Sequence, residues 1–140
     1  MDVKKLIDQE EFFYADCIAI NSCELIGFEI KGNRIEFDHK IVIDMSDLTY
    51  IFNNFSVDIA GSIYAGGEGA SHGSCGFFYK KTHDYLDWIL ISTESNPFTS
   101  VEIKNNDARF STSSGATWVV PNNNIKAVYI ENEFNISNSL

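Results

Sequence analysis

The chain has 140 residues, of which 44% are hydrophobic and 14% aromatic, and its formal net charge is −10. This size and composition fit one folded domain with an ordinary hydrophobic core and exclude a disordered chain. Surplus acid of this size repels phosphate backbones and anionic membranes and attracts cationic proteins, so neither direct nucleic-acid binding nor membrane binding is expected.

The first predicted element is a helix over residues 2–14. Val3, Leu6 and Ile7 recur at the spacing of one helix face. Acidic residues fill the middle and the C-terminal part of this segment, where the helix dipole does not favour them. Their position suggests a use beyond helix stability.

The pattern then changes from helical to strand-like. Short apolar stretches alternate with turn residues, and the clearest turn is Lys31-Gly32-Asn33. Such a run of hairpins indicates an antiparallel sheet. The strands predicted in this half are 17–20, 24–30, 34–38 and 40–45.

A second, short helix is predicted in the middle of the chain. Ser46 is suited to an N-cap, and the apolar residues that follow are spaced at i, i+3, i+4 and i+7. These apolar residues are Leu48, Ile51, Phe52 and Phe55.

The second half of the chain is predicted to consist mainly of strands separated by Asn-, Ser- and Gly-rich turns. The polar segment 132–140 is expected to fray. We therefore predict a single α+β domain over residues 1–140, with a bent antiparallel sheet, an N-terminal helix and a short central helix. The strands predicted here are 57–64, 76–80, 85–93, 99–103, 108–111, 117–120 and 125–130.

The cysteines predict neither a disulfide framework nor a zinc site. Cys17, Cys23 and Cys75 are odd in number and lack the C-x-x-C spacing. The N-terminus leads into a mixed polar segment and not into the apolar run of a secretory signal. We therefore expect a cytoplasmic protein with free, mostly buried thiols.

The glycine-rich segment 66–76 is the strongest candidate for a chemical motif. It contains G-x-S-x-G, the pattern of a serine-hydrolase nucleophile. One alternative function is therefore a small hydrolase that uses Ser71 or Cys75 with His72. However, the residues after it predict another strand where that motif needs a helix. A long flexible hairpin loop is the favoured interpretation, and such a loop can still contact a partner.

No cofactor or metal site is predicted. The three histidines lack the H-x-H and H-E-x-x-H spacings, and no calcium-loop pattern occurs in the sequence. We therefore do not expect the chain to be an enzyme.

The most informative feature is the stretch from Leu6 to Ile30, which contains no lysine or arginine. Within it, residues 10–16 combine carboxylates with aromatic side chains, and both are used by proteins that block the basic active sites of nucleases. A solvated helix face is the alternative. The predicted partner-binding residues are Asp8, Glu10, Glu11, Phe12, Tyr14, Asp16, Glu24 and Glu68.

A different class of function stays open. A bent sheet rich in aromatic residues can enclose a small-ligand pocket, and Trp88 and Trp118 would be its natural lining. Core packing is the alternative for both side chains.

In size, acidity and lack of a catalytic motif, the chain resembles the small immunity proteins of bacterial polymorphic toxin and contact-dependent growth-inhibition systems. The resemblance concerns the whole-chain profile and implies a cytoplasmic antitoxin that binds its cognate toxin domain. It assigns no individual residue, because such proteins vary widely in sequence and fold.

Overall fold

A computed structural model describes residues 3–21, 24–38, 48–69, 75–94 and 97–132. These residues form one helix, twelve strands and two short 3₁₀ turns, Pro121–Asn123 and Ile125–Ala127. The helix is α1 (Val3–Asp8), and the strands are β1 (Glu11–Phe13), β2 (Cys17–Ile20), β3 (Glu24–Lys31), β4 (Arg34–Asp38), β5 (Leu48–Ile59), β6 (Ser62–Gly69), β7 (Gly76–Thr82), β8 (Tyr85–Ser92), β9 (Phe98–Lys104), β10 (Asp107–Thr112), β11 (Ala116–Val120) and β12 (Tyr129–Asn132).

The strands form one antiparallel sheet in the order β1-β5-β6-β7-β8-β2-β3-β4-β12-β11-β10-β9. Most neighbours in this order are also neighbours in sequence. Three pairings join distant parts of the chain, β1 with β5, β2 with β8 and β4 with β12. The predicted bent antiparallel sheet is therefore confirmed.

The sheet curls until β9 and β10 lie over one face of β5, β6 and β7. Aromatic rings fill the space between the two halves of the sheet. The Phe78 and Phe110 rings stack with centroids 4.0 Å apart, and Trp118 and Phe98 meet edge to face at 6.1 Å. This aromatic cluster holds the curled sheet together, because each fully buried ring removes a large apolar area from water.

The opposite face of the same strands is covered by α1 and β1. Val3, Leu6 and Ile7 of the helix pack there against a second apolar cluster, together with Phe12 and Phe13 of β1. With both faces covered, β8 is almost continuously apolar, as expected for a strand buried on two sides.

The glycine-rich segment does not form the predicted loop over its first part. Gly66, Gly67 and Gly69 lie inside β6, which pairs with β5 on one side and β7 on the other. A Cβ on Gly67 would lie 2.0 Å from the carbonyl oxygen of Phe52, beside a bulge in β5. Glycine is needed here because the neighbouring backbone approaches so closely. The rest of the segment, 70–74, lies outside the described residues.

The predicted central helix is wrong, because Leu48–Ile59 is the long strand β5. The segment is rich in β-branched and aromatic residues, which favour strands. A bulge between Asn53 and Phe55 shifts the side-chain alternation by one residue, so that Phe52 and Phe55, three apart, share one face of the strand. The described residues are thus dominated by sheet, and the α+β class is corrected accordingly.

The N-terminal helix is shorter than predicted. It ends at Asp8, and Glu11–Phe13 begin the sheet. Glu10 has φ 60°, and its amide donates to the Ile7 carbonyl at 2.9 Å, which closes the helix end. Two strand predictions also change, because 57–64 is divided by a turn at Ala60-Gly61 and 125–127 is a 3₁₀ turn. The predicted strand 40–45 and nearly all of the predicted tail lie outside the described residues.

Candidate functional site

Four of the predicted partner-binding acids lie on or beside the end of the sheet formed by β1, β5 and β6. They are Asp8, Glu10, Glu11 and Glu68. Glu11 of β1 lies opposite Tyr50 of β5, and Glu68 of β6 lies opposite Phe52 of β5. Residues opposite each other in a ladder share a face, as do residues two apart on a strand. Glu11, Tyr50, Phe52 and Glu68 therefore lie on one face, and we call them the acidic–aromatic surface.

The two aromatic residues of this surface are exposed to solvent. The exposed fraction is 62% for Tyr50 and 42% for Phe52. Aromatic side chains supply much of the binding energy of protein interfaces, because they bury a large area at a small cost in conformational entropy. They were not among the predicted contact residues, because the sequence pattern placed Phe52 on a helix.

Glu10 and Asp8 lie beside the acidic–aromatic surface, at the end of α1. Glu10 is exposed and occupies the left-handed position that glycine normally takes after a helix. A non-glycine residue there costs about 1 kcal/mol. Asp8 is already paired with Lys4, at 2.8 Å between Nζ and Oδ2. Glu10 is thus kept at a cost in stability, as happens at functional positions.

Unlike Asp8, the carboxylates of Glu10, Glu11 and Glu68 are not paired with a described cation. The Glu68 carboxylate accepts a hydrogen bond from Asn54 Nδ2 at 3.0 Å, which fixes its position and leaves its charge in place.

A cleft of about 410 Å³ opens next to Glu10, between α1 and the end of the sheet. Its floor includes Tyr79, whose hydroxyl accepts a hydrogen bond from Asn53 Nδ2 at 3.1 Å. The Lys81 ammonium lies 5.8 Å from the centre of the Tyr79 ring. Burial raises the pKa of Tyr79, so the phenol keeps its proton and provides no base. The cleft is lined by Ile7, Asp8, Glu10, Ile51, Phe52, Asn53, Tyr79 and Lys81.

Two of the predicted contact residues make contacts within the fold. Phe12 is fully buried, with its ring 5.3 Å from that of Phe13, so its assignment as an exposed anchor is corrected. Asp16 accepts hydrogen bonds from the Thr93 amide at 2.6 Å and the Thr93 hydroxyl at 3.0 Å. These bonds tie β2 to the end of β8. Tyr14 is half-buried against the same core.

Glu24 is not part of this group of residues. It begins β3, five strand positions from β5, which is roughly 24 Å measured along the sheet. Its nearest described cation is Lys126, at 4.0 Å. The base-free stretch of the sequence therefore separates into distant parts of the fold.

The hydrolase alternative receives no support from the described residues. Cys75 is fully buried, and burial raises the pKa of its thiol, which weakens it as a nucleophile. Ser71 and His72 lie outside the described residues.

The tryptophans predicted to line a ligand pocket are core residues. Trp118 and Trp88 are buried within the aromatic cluster, and the Trp88 indole nitrogen donates to Asn123 Oδ1 at 3.0 Å. Across the described ranges, no three His, Cys, Asp or Glu side chains are grouped in a way that would hold a metal ion.

Scans of the chain against protein-family models, curated proteins and solved structures each found no match. Within the described residues, no helix has the length and apolar character needed to cross a membrane.

Proposed function

We propose that this chain is an inhibitor of the immunity-protein type, which binds a basic toxin domain and blocks its active site. The observation that carries the proposal is the placement of Glu11 and Glu68 directly beside the exposed rings of Tyr50 and Phe52. Unpaired carboxylates attract a cationic partner from a distance, and exposed aromatic rings then provide the buried contact.

A nuclease fits this surface best among basic toxins. Its active site holds lysine and arginine side chains that bind the phosphates of its substrate. Carboxylates spaced along a sheet edge can occupy those phosphate positions and so exclude the nucleic acid. The net charge of −10 strengthens the attraction at distances up to the screening length, about 8 Å at physiological salt.

The proposal predicts that charge reversal at the surface slows association with the partner. The partner to use is the protein encoded by the reading frame directly upstream, produced with its own active site inactivated. For the double variant Glu10→Lys, Glu11→Lys, we expect an association rate constant at least about tenfold lower at low salt, with a smaller difference at high salt.

Glu36→Lys is the matched control for each single reversal. Glu36 is exposed on β4, on the far side of the sheet from β5, and its reversal changes the net charge by the same amount. We expect it to change the rate constant much less than Glu11→Lys does. Equal effects at the two positions, or no effect at Glu10 and Glu11, would contradict the proposed surface.

Growth provides an independent readout. Co-expression of this chain with the active upstream protein should restore growth of a sensitive host, and the doubly reversed variant should restore it less well. A chain that neither binds the upstream protein nor protects against it does not have the proposed function.

A further inference from the structure

The outer edge of β5 is open over most of its length. β6 pairs with β5 along Ile51–Ile59 on one side, whereas β1 pairs only with Leu48–Tyr50 on the other. The last contact on this outer side is the hydrogen bond from the Ile51 amide to the Glu10 carbonyl, at 2.9 Å. In the part of the chain that the structure describes, no strand pairs with the outer edge of β5 beyond that bond.

The turn that ends β5 shows which backbone groups face outward. Ala60 and Gly61, with φ 53° and 88°, form a two-residue turn between Ile59 and Ser62. In such a hairpin the closing pair exchanges both of its hydrogen bonds, and the pattern then alternates. The N–H and C=O groups of Ser56 and Asp58 therefore point away from β6.

The other end of β5 gives the same result independently. The Gly69 amide donates to the Cys75 carbonyl at 2.9 Å, so it points toward β7 and away from β5. Its ladder partner Ile51 must then direct its own backbone groups outward, as its bond to Glu10 shows. The direction of the backbone groups alternates along the strand, so Asn53, two residues after Ile51 and just before the bulge, also directs its backbone groups outward.

The side chains along this edge give it little protection from strand addition. Val57 and Ile59, 37% and 38% exposed, lie on the same face as Phe52. Sheet edges are usually protected by lysine or proline, and Leu48–Ile59 contains neither. The bulge and the exposed Asp58 are the protective features within this strand.

We propose that the β5 edge from Asn53 to Asp58 receives an extended segment of the basic partner, which adds a strand in line with β1. This inference rests on the proposed function and specifies how the partner binds. Main-chain hydrogen bonds to the edge would supply affinity, and alternate side chains would supply specificity.

The chemistry of the edge defines the docked segment. One face of the segment should be apolar, to cover Phe52, Val57 and Ile59. The other face should be basic, because Asp58 lies on that side of β5 and Glu10 directly precedes β1. The 410 Å³ cleft opens beside Glu10 and has room for a basic side chain next to that carboxylate.

Charge argues against a second copy of this chain as the occupant. Antiparallel pairing of two β5 edges would bring Asp58 of each copy to the same seam, with no lysine or arginine on either strand to offset them. Like charges across a ladder are destabilising, and a net charge of −10 on each copy adds to the repulsion.

Amide hydrogen exchange measured by NMR tests this proposal. In the free protein, the amides of Ser56 and Asp58 should exchange rapidly, whereas those of Val57 and Ile59 should be protected by β6. The probe is a blocked peptide of about eight residues in which lysine and valine alternate. At saturation it should slow exchange at Ser56 and Asp58 by at least about tenfold.

Two variants of Ser56 distinguish the contribution of its backbone N–H to peptide binding from that of its side chain. Ser56→Pro removes an outward-facing N–H that β6 does not use, so a folded variant should lose at least about tenfold in peptide affinity. Ser56→Ala keeps the N–H and should bind as the unmodified chain does. If Ser56→Pro does not fold, the exchange measurement on the unmodified chain decides.

The other outcomes distinguish the two proposals. Chemical-shift changes at Glu10, Glu11 and Glu68 without protection at Ser56 would overturn strand docking and leave the proposed function standing. Equal binding of a glutamate–valine peptide would overturn the basic occupant, and protection that rises with protein concentration alone would identify a second copy. No shift change at any of these residues would overturn strand docking, whereas the proposed function is tested separately with the upstream-encoded protein.

Discussion

The contact between Gly67 and the bulge of β5 gives the sharpest test of how the surface is built. In Gly67→Ala, the new Cβ would lie 2.0 Å from the Phe52 carbonyl oxygen and 2.8 Å from the Asn54 nitrogen. Both atoms belong to backbone, so no side-chain rotation relieves the contact. A carbon–oxygen contact needs about 3.3 Å, so β5 must move by more than about 1 Å.

The energetic cost follows from that displacement. Overpacking costs about 1–3 kcal/mol, and each ladder hydrogen bond weakened at the bulge adds about 1 kcal/mol. We expect the free energy of unfolding to fall by about 3–5 kcal/mol, and the melting temperature by about 10–15 °C for a chain of this size.

Urea denaturation followed by the fluorescence of the buried Trp88 and Trp118 measures this change. Gly32→Ala is the control, because its Cβ would meet nothing within 4 Å and only its φ of +66° is unfavourable. That variant should lose about 1–2 kcal/mol. Equal losses in the two variants would refute the argument that close approach of β5 requires Gly67.

Two further predictions concern single side chains. Glu10→Gly should raise the free energy of unfolding by about 1 kcal/mol, because glycine suits φ 60°. The same variant should associate more slowly with the upstream-encoded protein. Unchanged stability would show that Glu10 is not strained. Burial, assisted by Asp16, raises the pKa of Cys17 from 9.0 to about 12, so the unfolded thiol loses its proton first as pH rises. The free energy of unfolding should therefore fall between about pH 9 and pH 12 by up to about 1.4 kcal/mol per pH unit. If the free energy of unfolding of Cys17→Ala depends on pH in the same way as that of the unmodified chain, the prediction is contradicted.

Local patterns in the sequence predicted most strands of the described residues correctly. The Lys31-Gly32-Asn33 turn and the alternation after it are set by neighbouring residues, and β3 and β4 follow the prediction closely. β5 was mistaken for a helix because its bulge depends on Gly67, a residue of the next strand. A window along the chain contains no signal for such a contact.

The candidate site was predicted only in part, for a related reason. The carboxylates Glu11 and Glu68 are far apart in sequence and become neighbours of the same strand through pairing with β5. The aromatic partners were assigned to the wrong residues, since Phe12 and Phe52 are equally apolar and only tertiary packing decides which is buried.

The position of β2 between β3 and β8 has a consequence for biosynthesis. Cys17 of β2 pairs with Ile91 of β8, so one side of β2 has no partner until more than seventy further residues have been made. At ribosomal speed this delay is about 4–15 s. Meanwhile β5 to β8 form from consecutive hairpins, whose short loops close quickly. The middle part of the chain, β5 to β8, should therefore fold first and then capture the N-terminal strands, and fragments that stop before β8 should aggregate.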